Sequence, residues 1–368
     1  MAHKKEGYIT QSHPKTLIIG VLAPYNKTNY PESYFQEFVN LVKTNRTGYD
    51  HEMFITLREV DPRTFFTKGK VAEIKKFCDE QEIEEVIISE PLTVQQERNL
   101  HEYLHTNIFD RTRLILEIFE KNATSAEGKL QVHIAMLNFD KSRLAGQGVF
   151  LSQQAGKIGA RGPGETLKER ETRHIETAVL KLKRQLESLE KARQTQRKRR
   201  MISQVPLICL IGYTNAGKST VLNALTKSDV LAEDRLFATL DTTTRELHID
   251  KKKVGVISDT VGFIQQLPHQ LINAFKSTLS ELNYADLLLH VVDVSDPNWQ
   301  NHIQVVQGIL KELDVDKPTL YVFNKADKIE STDQLLDSLS YYQPHVLISA
   351  ASKDGIAPLK DFLKHWQR

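Results

Sequence analysis

A chain of 368 residues, 40% hydrophobic and 26% charged, is long enough for two or three domains with separate cores, and its composition excludes collagen, wholesale disorder and a membrane-embedded class. The longest apolar runs, LICLIG and LLLHVV among them, fall well short of a bilayer span, and the N-terminus has no apolar signal core, so a cytoplasmic protein without a membrane partner is expected. The net charge of +2 conceals an asymmetry: residues 145–200 carry 14 Lys+Arg against 6 Asp+Glu, which leaves the remainder net negative and points to an anionic partner for that one segment.

Residues 17–119 alternate between β-branched runs and helical periodicity. LIIGVL, EMFITLREV, VIIS and TRLILEIF stand in the strand positions, and ESYFQEFVNLV, GKVAEIKKFCDEQ and VQQERNLHEYL lie between them. Connections of that length imply crossovers and a largely parallel sheet, hence a small α/β domain over 1–122. Cys78 and Cys209 sit inside apolar segments with no second ligand at metal spacing, and read as core residues.

Beyond Asn122 the pattern becomes long helices. Leu130, Ile134, Leu137 and Leu144 form one stripe, and Ile175, Val179, Leu182, Leu186 and Leu189 a second, each at spacings of three, four or seven. Two such helices predict an antiparallel hairpin over 123–200, with the Gly-rich, basic stretch QQAGKIGARGPGET in a tip at about 145–165. That tip, which carries Lys157 and Arg161, reads either as a plain connector or as part of a contact surface for an anionic partner.

The third domain, 201–368, opens with LICLIG followed by Gly212-Tyr213-Thr214-Asn215-Ala216-Gly217-Lys218-Ser219-Thr220 and then a helical pattern. This is GxxxxGK[ST] in its strand–loop–helix context. The glycines let main-chain N–H groups turn around phosphates, Lys218 can reach the β- and γ-phosphates, and the Ser219 hydroxyl is placed for Mg²⁺. KVGVISDT then ends in Asp259-Thr260-Val261-Gly262, a DxxG element whose Asp would hold Mg²⁺ through water and whose glycine N–H would sense the γ-phosphate. TLYVFN leads into Asn324-Lys325-Ala326-Asp327; a carboxylate accepting both guanine N1–H and the 2-amino group selects guanine over adenine. Ser349-Ala350-Ala351 closes the set with a main-chain N–H for guanine O6. A threonine ligating Mg²⁺ only in the triphosphate state belongs between the first two motifs, and spacing leaves Thr239, Thr242, Thr243 and Thr244 open. Where some GTPases carry a water-orienting glutamine after DxxG, this chain has Phe263, so no catalytic side chain is assigned beyond phosphate stabilisation by Lys218 and the γ-phosphate contact of Gly262, and unassisted turnover should be slow.

GYTNAGKST, FATLD, DTVGF and NKAD, together with FDRTRLILEIF, EGKLQVHIAML and IGARGPGET upstream, resemble the HflX family of ribosome-associated GTPases from about residue 17 onward. The resemblance implies an N-terminal α/β subdomain, a long helical hairpin and a Ras-like P-loop G domain. It further implies that Thr239, within Phe237-Ala238-Thr239-Leu240-Asp241, is the switch I Mg²⁺ ligand. The implied partners are the large ribosomal subunit and its ribosomal RNA, GTP and GDP are substrate and product, and ribosomes stimulate the protein, which is monomeric when free and helps split stalled ribosomes. Thr242 in place of the family's Pro, and Thr67-Lys68-Gly69-Lys70 in place of GKGK, depart from the pattern. A different class of function, a regulatory G domain attached to an RNA-modifying or RNA-unwinding enzyme, would need a second active site, and residues 1–122 show no second P-loop, Cys/His cluster or activated nucleophile.

Overall fold

A computed structural model describes residues 14–26, 30–45, 48–146, 167–202, 205–226, 236–237, 243–266, 268, 271, 279–329, 333–352 and 354–367. The chain forms two compact units, Met1–Thr28 with Arg46–Leu114, and Asn29–Asn45 with Ile115–Arg368. The cut falls between Leu114 and Ile115, and a helix from the N-terminal region, α1 (Pro31–Asn45), groups with the second unit.

The first unit is built on a four-stranded parallel sheet of β1 (Thr16–Leu22), β2 (His51–Thr56), β3 (Glu85–Ile88) and β4 (Asn107–Phe109), in the order β2-β1-β3-β4. Central β1 and β3 are buried nearly throughout, as continuous β-branched runs covered on both faces should be. Helices α2 (Lys68–Gln81) and α3 (Val94–Leu104) bring Val71, Ile74, Cys78, Leu100 and Leu104 into that core, and Thr93 with Gln96 caps α3 reciprocally. The segment TRLILEIF is not the fourth strand: it lies within helix α4 (Arg111–Asn122), and the strand is the short NIF before it. Leu114, Ile115, Leu116, Ile118 and Phe119 are all buried, and a continuous apolar run of that length fits a buried helix as well as a strand.

In the second unit, α5 (Ala126–Gly146) and α6 (Leu167–Ile202) pack on one another, with Ala135, Phe139 and Val179 buried and Lys141 Nζ paired to Glu176 at 2.7 Å. The six-stranded sheet of this unit contains β5 (Leu207–Gly212), β6 (Thr243–Ile249), β7 (Lys252–Asp259), β8 (Leu287–Asp293), β9 (Thr319–Asn324) and β10 (His345–Leu347), in the order β10-β9-β8-β5-β7-β6. Only β6 runs antiparallel, paired with β7. Helices α7 (Lys218–Thr226), α8 (Trp299–Glu312), α9 (Asp333–Leu339) and α10 (Ala357–His365) complete the unit, and residues of α7 and α10 share a core with the inner strands. Because β5, β7, β8, β9 and β10 are parallel, the loops that follow them open on one edge of the sheet, the position in which doubly wound folds bind ligands.

Candidate functional site

The loop after β5 is shaped by two glycines that no other residue could replace without strain. Gly212 (φ +146°) would place a Cβ 2.2 Å from the Val291 carbonyl oxygen, and Gly217 (φ +93°) would place one 2.3 Å from Asn324 Nδ2. Asn215 also adopts a left-handed conformation, so the main chain between the glycines curls. Lys218, at the start of α7, folds back over the loop and donates to the carbonyls of Tyr213 (2.8 Å) and Gly212 (3.2 Å). Burial lowers its pKa to about 8, with the Asp259 carboxylate acting in the opposite sense. Beneath it His290 is buried and held neutral, its pKa lowered to about 3 by burial and then by the Lys218 charge.

The loop after β7 is fastened to the first. Thr214 N–H donates to Phe263 O at 2.7 Å and Phe263 N–H to Gly212 O at 3.1 Å. Gly262 therefore sits where an added Cβ would lie 2.9 Å from both Lys218 Nζ and Thr214 Cγ2. The Ser219 hydroxyl donates to Asp259 Oδ2 at 2.8 Å, and Asp259 is fully buried. Two hard oxygen donors, one on each motif, suit a small divalent cation and nothing softer. Thr260 is spent structurally, its hydroxyl donating to Leu210 O at 2.6 Å, and Val261 is buried.

On the other side of β5, Asn324 fastens three loops. Its Nδ2 donates to Ala216 O (2.9 Å) and its Oδ1 accepts from Ala350 N–H (3.0 Å), both bonds buried. Lys325 takes a left-handed backbone and pairs with Asp293 at 2.6 Å. Asp327 is exposed and its pKa is lowered from the ordinary carboxylate value, first because Ser349 Oγ donates to its Oδ1 at 2.5 Å. Ala326 N–H donates to Ile348 O at 3.2 Å, bringing this turn against the loop that carries Ser349, Ala350 and the exposed Ala351.

The structure thus gathers residues 212–220, 259–262, 324–327 and 349–351 along one sheet edge. Phe237 is buried and left-handed, and its carbonyl accepts from Asn122 Nδ2 at 2.9 Å. Ala238, Thr239, Leu240, Asp241 and Thr242 lie outside the described residues, as do Lys157, Arg161 and the whole Gly-rich tip. The Tyr213 side chain makes contacts of its own. The ring stacks on His302 with centroids 3.8 Å apart, and the hydroxyl bonds Glu37 of α1 and accepts Gln265 N–H at 2.9 Å. Among the described residues no group of three His, Cys, Asp or Glu could hold a metal, and no helix is long and apolar enough to cross a membrane.

Family profiles match residues 32–120 (GTP-binding GTPase N-terminal), 122–200 (GTP-binding GTPase middle region) and 207–325 (50S ribosome-binding GTPase). The GTPase HflX of Caldanaerobacter subterraneus subsp. tengcongensis is 46% identical over 301 residues, which is 82% of this chain and 69% of the relative. The chain belongs to the HflX family of GTPases. Its HflX relative in Magnetococcus marinus is 41% identical over 96% of this chain and 82% of the relative, and that of Escherichia coli K12 is 40% identical over 88% and 76%. The crystal structure of SsGBP in complex with GDP aligns over 95% of this chain and 97% of that one, at 26% identity and a TM-score of 0.50. This HflX protein therefore binds guanine nucleotides and hydrolyses GTP. Sequence reasoning missed Asp293, Glu37, Gln265, His302 and Asn122, which touch the motifs from other elements. Only Asp293 carried a signal, as the acidic residue ending the apolar run LLLHVV.

Proposed function

We propose that this GTPase is a switch that binds the large ribosomal subunit in its GTP state and helps dissociate stalled or idle ribosomes. The observation that carries the reading is the profile match from the P-loop to the NKAD element, whose description is a 50S ribosome-binding GTPase. The charge surplus of residues 145–200 supports it, since a basic stem gives salt-sensitive affinity for a phosphate backbone. In this reading Lys157 and Arg161 contact ribosomal RNA at the tip, and the protein is cytoplasmic and monomeric when free.

Each motif then has a task. The loop 212–217 wraps the phosphates with its N–H groups, Lys218 balances charge on the β- and γ-phosphates, and Gly262 N–H reads the γ-phosphate. Asp327 accepts from guanine N1–H and the 2-amino group, with Asn324 and Lys325 holding its turn and Ser349, Ala350 and Ala351 facing O6. Mg²⁺ fits the Ser219 hydroxyl and the Asp259 carboxylate; these two, the latter through water, and Thr239 would hold it, and when bound it neutralises phosphate charge. Phe263 is 1% exposed and packs away in the core, so it does not orient water, and unassisted turnover is slow.

The test is co-sedimentation with 70S particles and with separated subunits under GDP, GTP and a non-hydrolysable GTP analogue, beside a variant lacking residues 153–166. Binding to the large subunit that needs the triphosphate, with loss of 70S particles that needs the tip, is the expected result. Binding indifferent to nucleotide would refute the reading and favour the alternative, a G domain regulating RNA-directed chemistry elsewhere in the chain.

A further inference from the structure

Two contacts leave the nucleotide loops and end on the same pair of helices. The first starts at Tyr213, whose hydroxyl accepts the N–H of Gln265, three residues past Gly262, and donates to the Glu37 carboxylate on α1. The second starts at Phe237, two residues before Thr239. Its ring lies 4.6 Å from that of Phe119 and its carbonyl takes the Asn122 amide, both residues belonging to α4. The two helices are joined at their C-terminal ends: Asn45 Nδ2 donates to Glu117 Oε2 at 2.8 Å, and Lys121 Nζ donates to Asn45 O at 2.5 Å. A third tie, Ser33 Oγ to Asp296 Oδ1 at 3.2 Å, fixes the start of α1 to the loop after β8.

The Tyr213 side chain is well made for carrying position and poorly made for binding nucleotide. It is buried, its ring is stacked flat on His302, and its side-chain oxygen is shared between the Gln265 N–H and a carboxylate. A phenol can donate only one proton, so the Glu37 bond fixes the direction of that proton and leaves a lone pair for Gln265 N–H. Any shift of the main chain at 265 therefore loads the bond to Glu37 directly. A cavity of about 700 Å³ between α1 and the outer face of the P-loop, bordered by Gln36, Glu37, Asn40, Tyr213 and Asn215, gives α1 room to respond.

We propose that Tyr213 is a positioning residue that reads the state of the segment after the DxxG glycine, at Gln265, and passes it, through Glu37, to helix α1, so that α1 and the linked end of α4 report nucleotide state outside the nucleotide site. The inference rests on the nucleotide-switch reading above but needs no ribosome. It gives the N-terminal helix a role in the GTPase cycle that the motifs do not suggest, because Glu37 lies 175 residues before the P-loop glycine at 212.

The experiment is amide hydrogen exchange on the full chain, saturated with GDP or with a non-hydrolysable GTP analogue, for the wild type, Glu37→Ala and Tyr213→Phe. Glu37→Ala cuts the link on the helix side with a good helix former, and Tyr213→Phe keeps the stacked ring while removing the shared hydroxyl. Exchange over 31–45 should differ between the two nucleotides in the wild type. That difference should fall at least twofold in both variants, while Glu37→Ala keeps its GDP affinity within about twofold of wild type. A nucleotide difference that persists in full in both variants, or a wild type that binds both nucleotides without any difference over 31–45, overturns the relay. A wild type that binds neither nucleotide refutes the nucleotide-switch reading itself, a separate outcome.

Discussion

Replacing Asn324 by alanine should damage stability and nucleotide binding together, whereas replacing Asp327 should damage binding alone. Asn324 is 3% exposed, and both of its side-chain polar atoms are used, one on the Ala216 carbonyl and one on the Ala350 N–H. Truncation leaves two buried main-chain groups without their partner. At about 1–3 kcal/mol for each, the loss is about 2–6 kcal/mol, a large share of the ~5–15 kcal/mol that holds a domain folded. Asp327 is exposed, and its replacement removes a single hydrogen bond, that from the buried Ser349 hydroxyl, so Asp327→Ala should cost only about 1 kcal/mol of stability. It should nevertheless lower GDP affinity about 100-fold, since it removes two hydrogen bonds to a charged acceptor. Urea unfolding of nucleotide-free protein, followed by circular dichroism, and GDP titration by calorimetry separate the two effects. A stability loss under 1 kcal/mol for Asn324→Ala, or equal losses for the two variants, would refute the assignment of Asn324 as the tie between the three loops.

Two further outcomes follow from the same geometry. Phe263→Gln places the water-orienting residue type of other GTPases at a position buried in the core, so it should not raise the single-turnover hydrolysis rate and should destabilise by about 3 kcal/mol; a rate increase would show that the side chain reaches the phosphate. Ser349→Ala removes the first cause of the depressed Asp327 pKa. With the folded pKa lowered, the ionised form and the affinity that depends on it persist above the ordinary carboxylate range and are lost only as pH falls through the lowered value. The variant should lose GDP affinity at a higher pH than the wild type in an acid titration, and coincident curves would count against the Ser349 contribution.

The nucleotide elements were legible because each is a local pattern with a local reason. Gly212 and Gly217 are required by positive φ and by close approach, Lys218 and Ser219 by their offset from those glycines, and Asp259 and Asn324 by their place at strand ends. What the sequence did not reveal is carried by contacts between distant segments. Glu37 and Asn122 look like ordinary polar helix residues until the fold sets them beside Tyr213 and Phe237. Likewise TRLILEIF gives no period to separate a buried helix from a buried strand, and the three-residue NIF that forms β4 is shorter than pattern reasoning can detect. Tyr213 shows a further limit, since motif position fixes where its backbone goes and says nothing of a side chain that stacks on His302 and bonds Glu37.

The antiparallel pair β6–β7 sets a mechanical limit on the switches. Thr243 stands opposite Asp259, so the segment before β6 and the segment after β7 start from the same rung of one ladder. Thr239 is four residues upstream of that rung, a fully extended reach of about 14 Å. In the proposed switch, a tether that short makes recapture of the threonine by the Asp259 region a local event with a small entropic cost, comparable to closing a minimal loop. Threonine re-engagement at that rung is then among the fast steps of the proposed switch, and the slower ones belong to chemistry, nucleotide exchange or encounter with a partner.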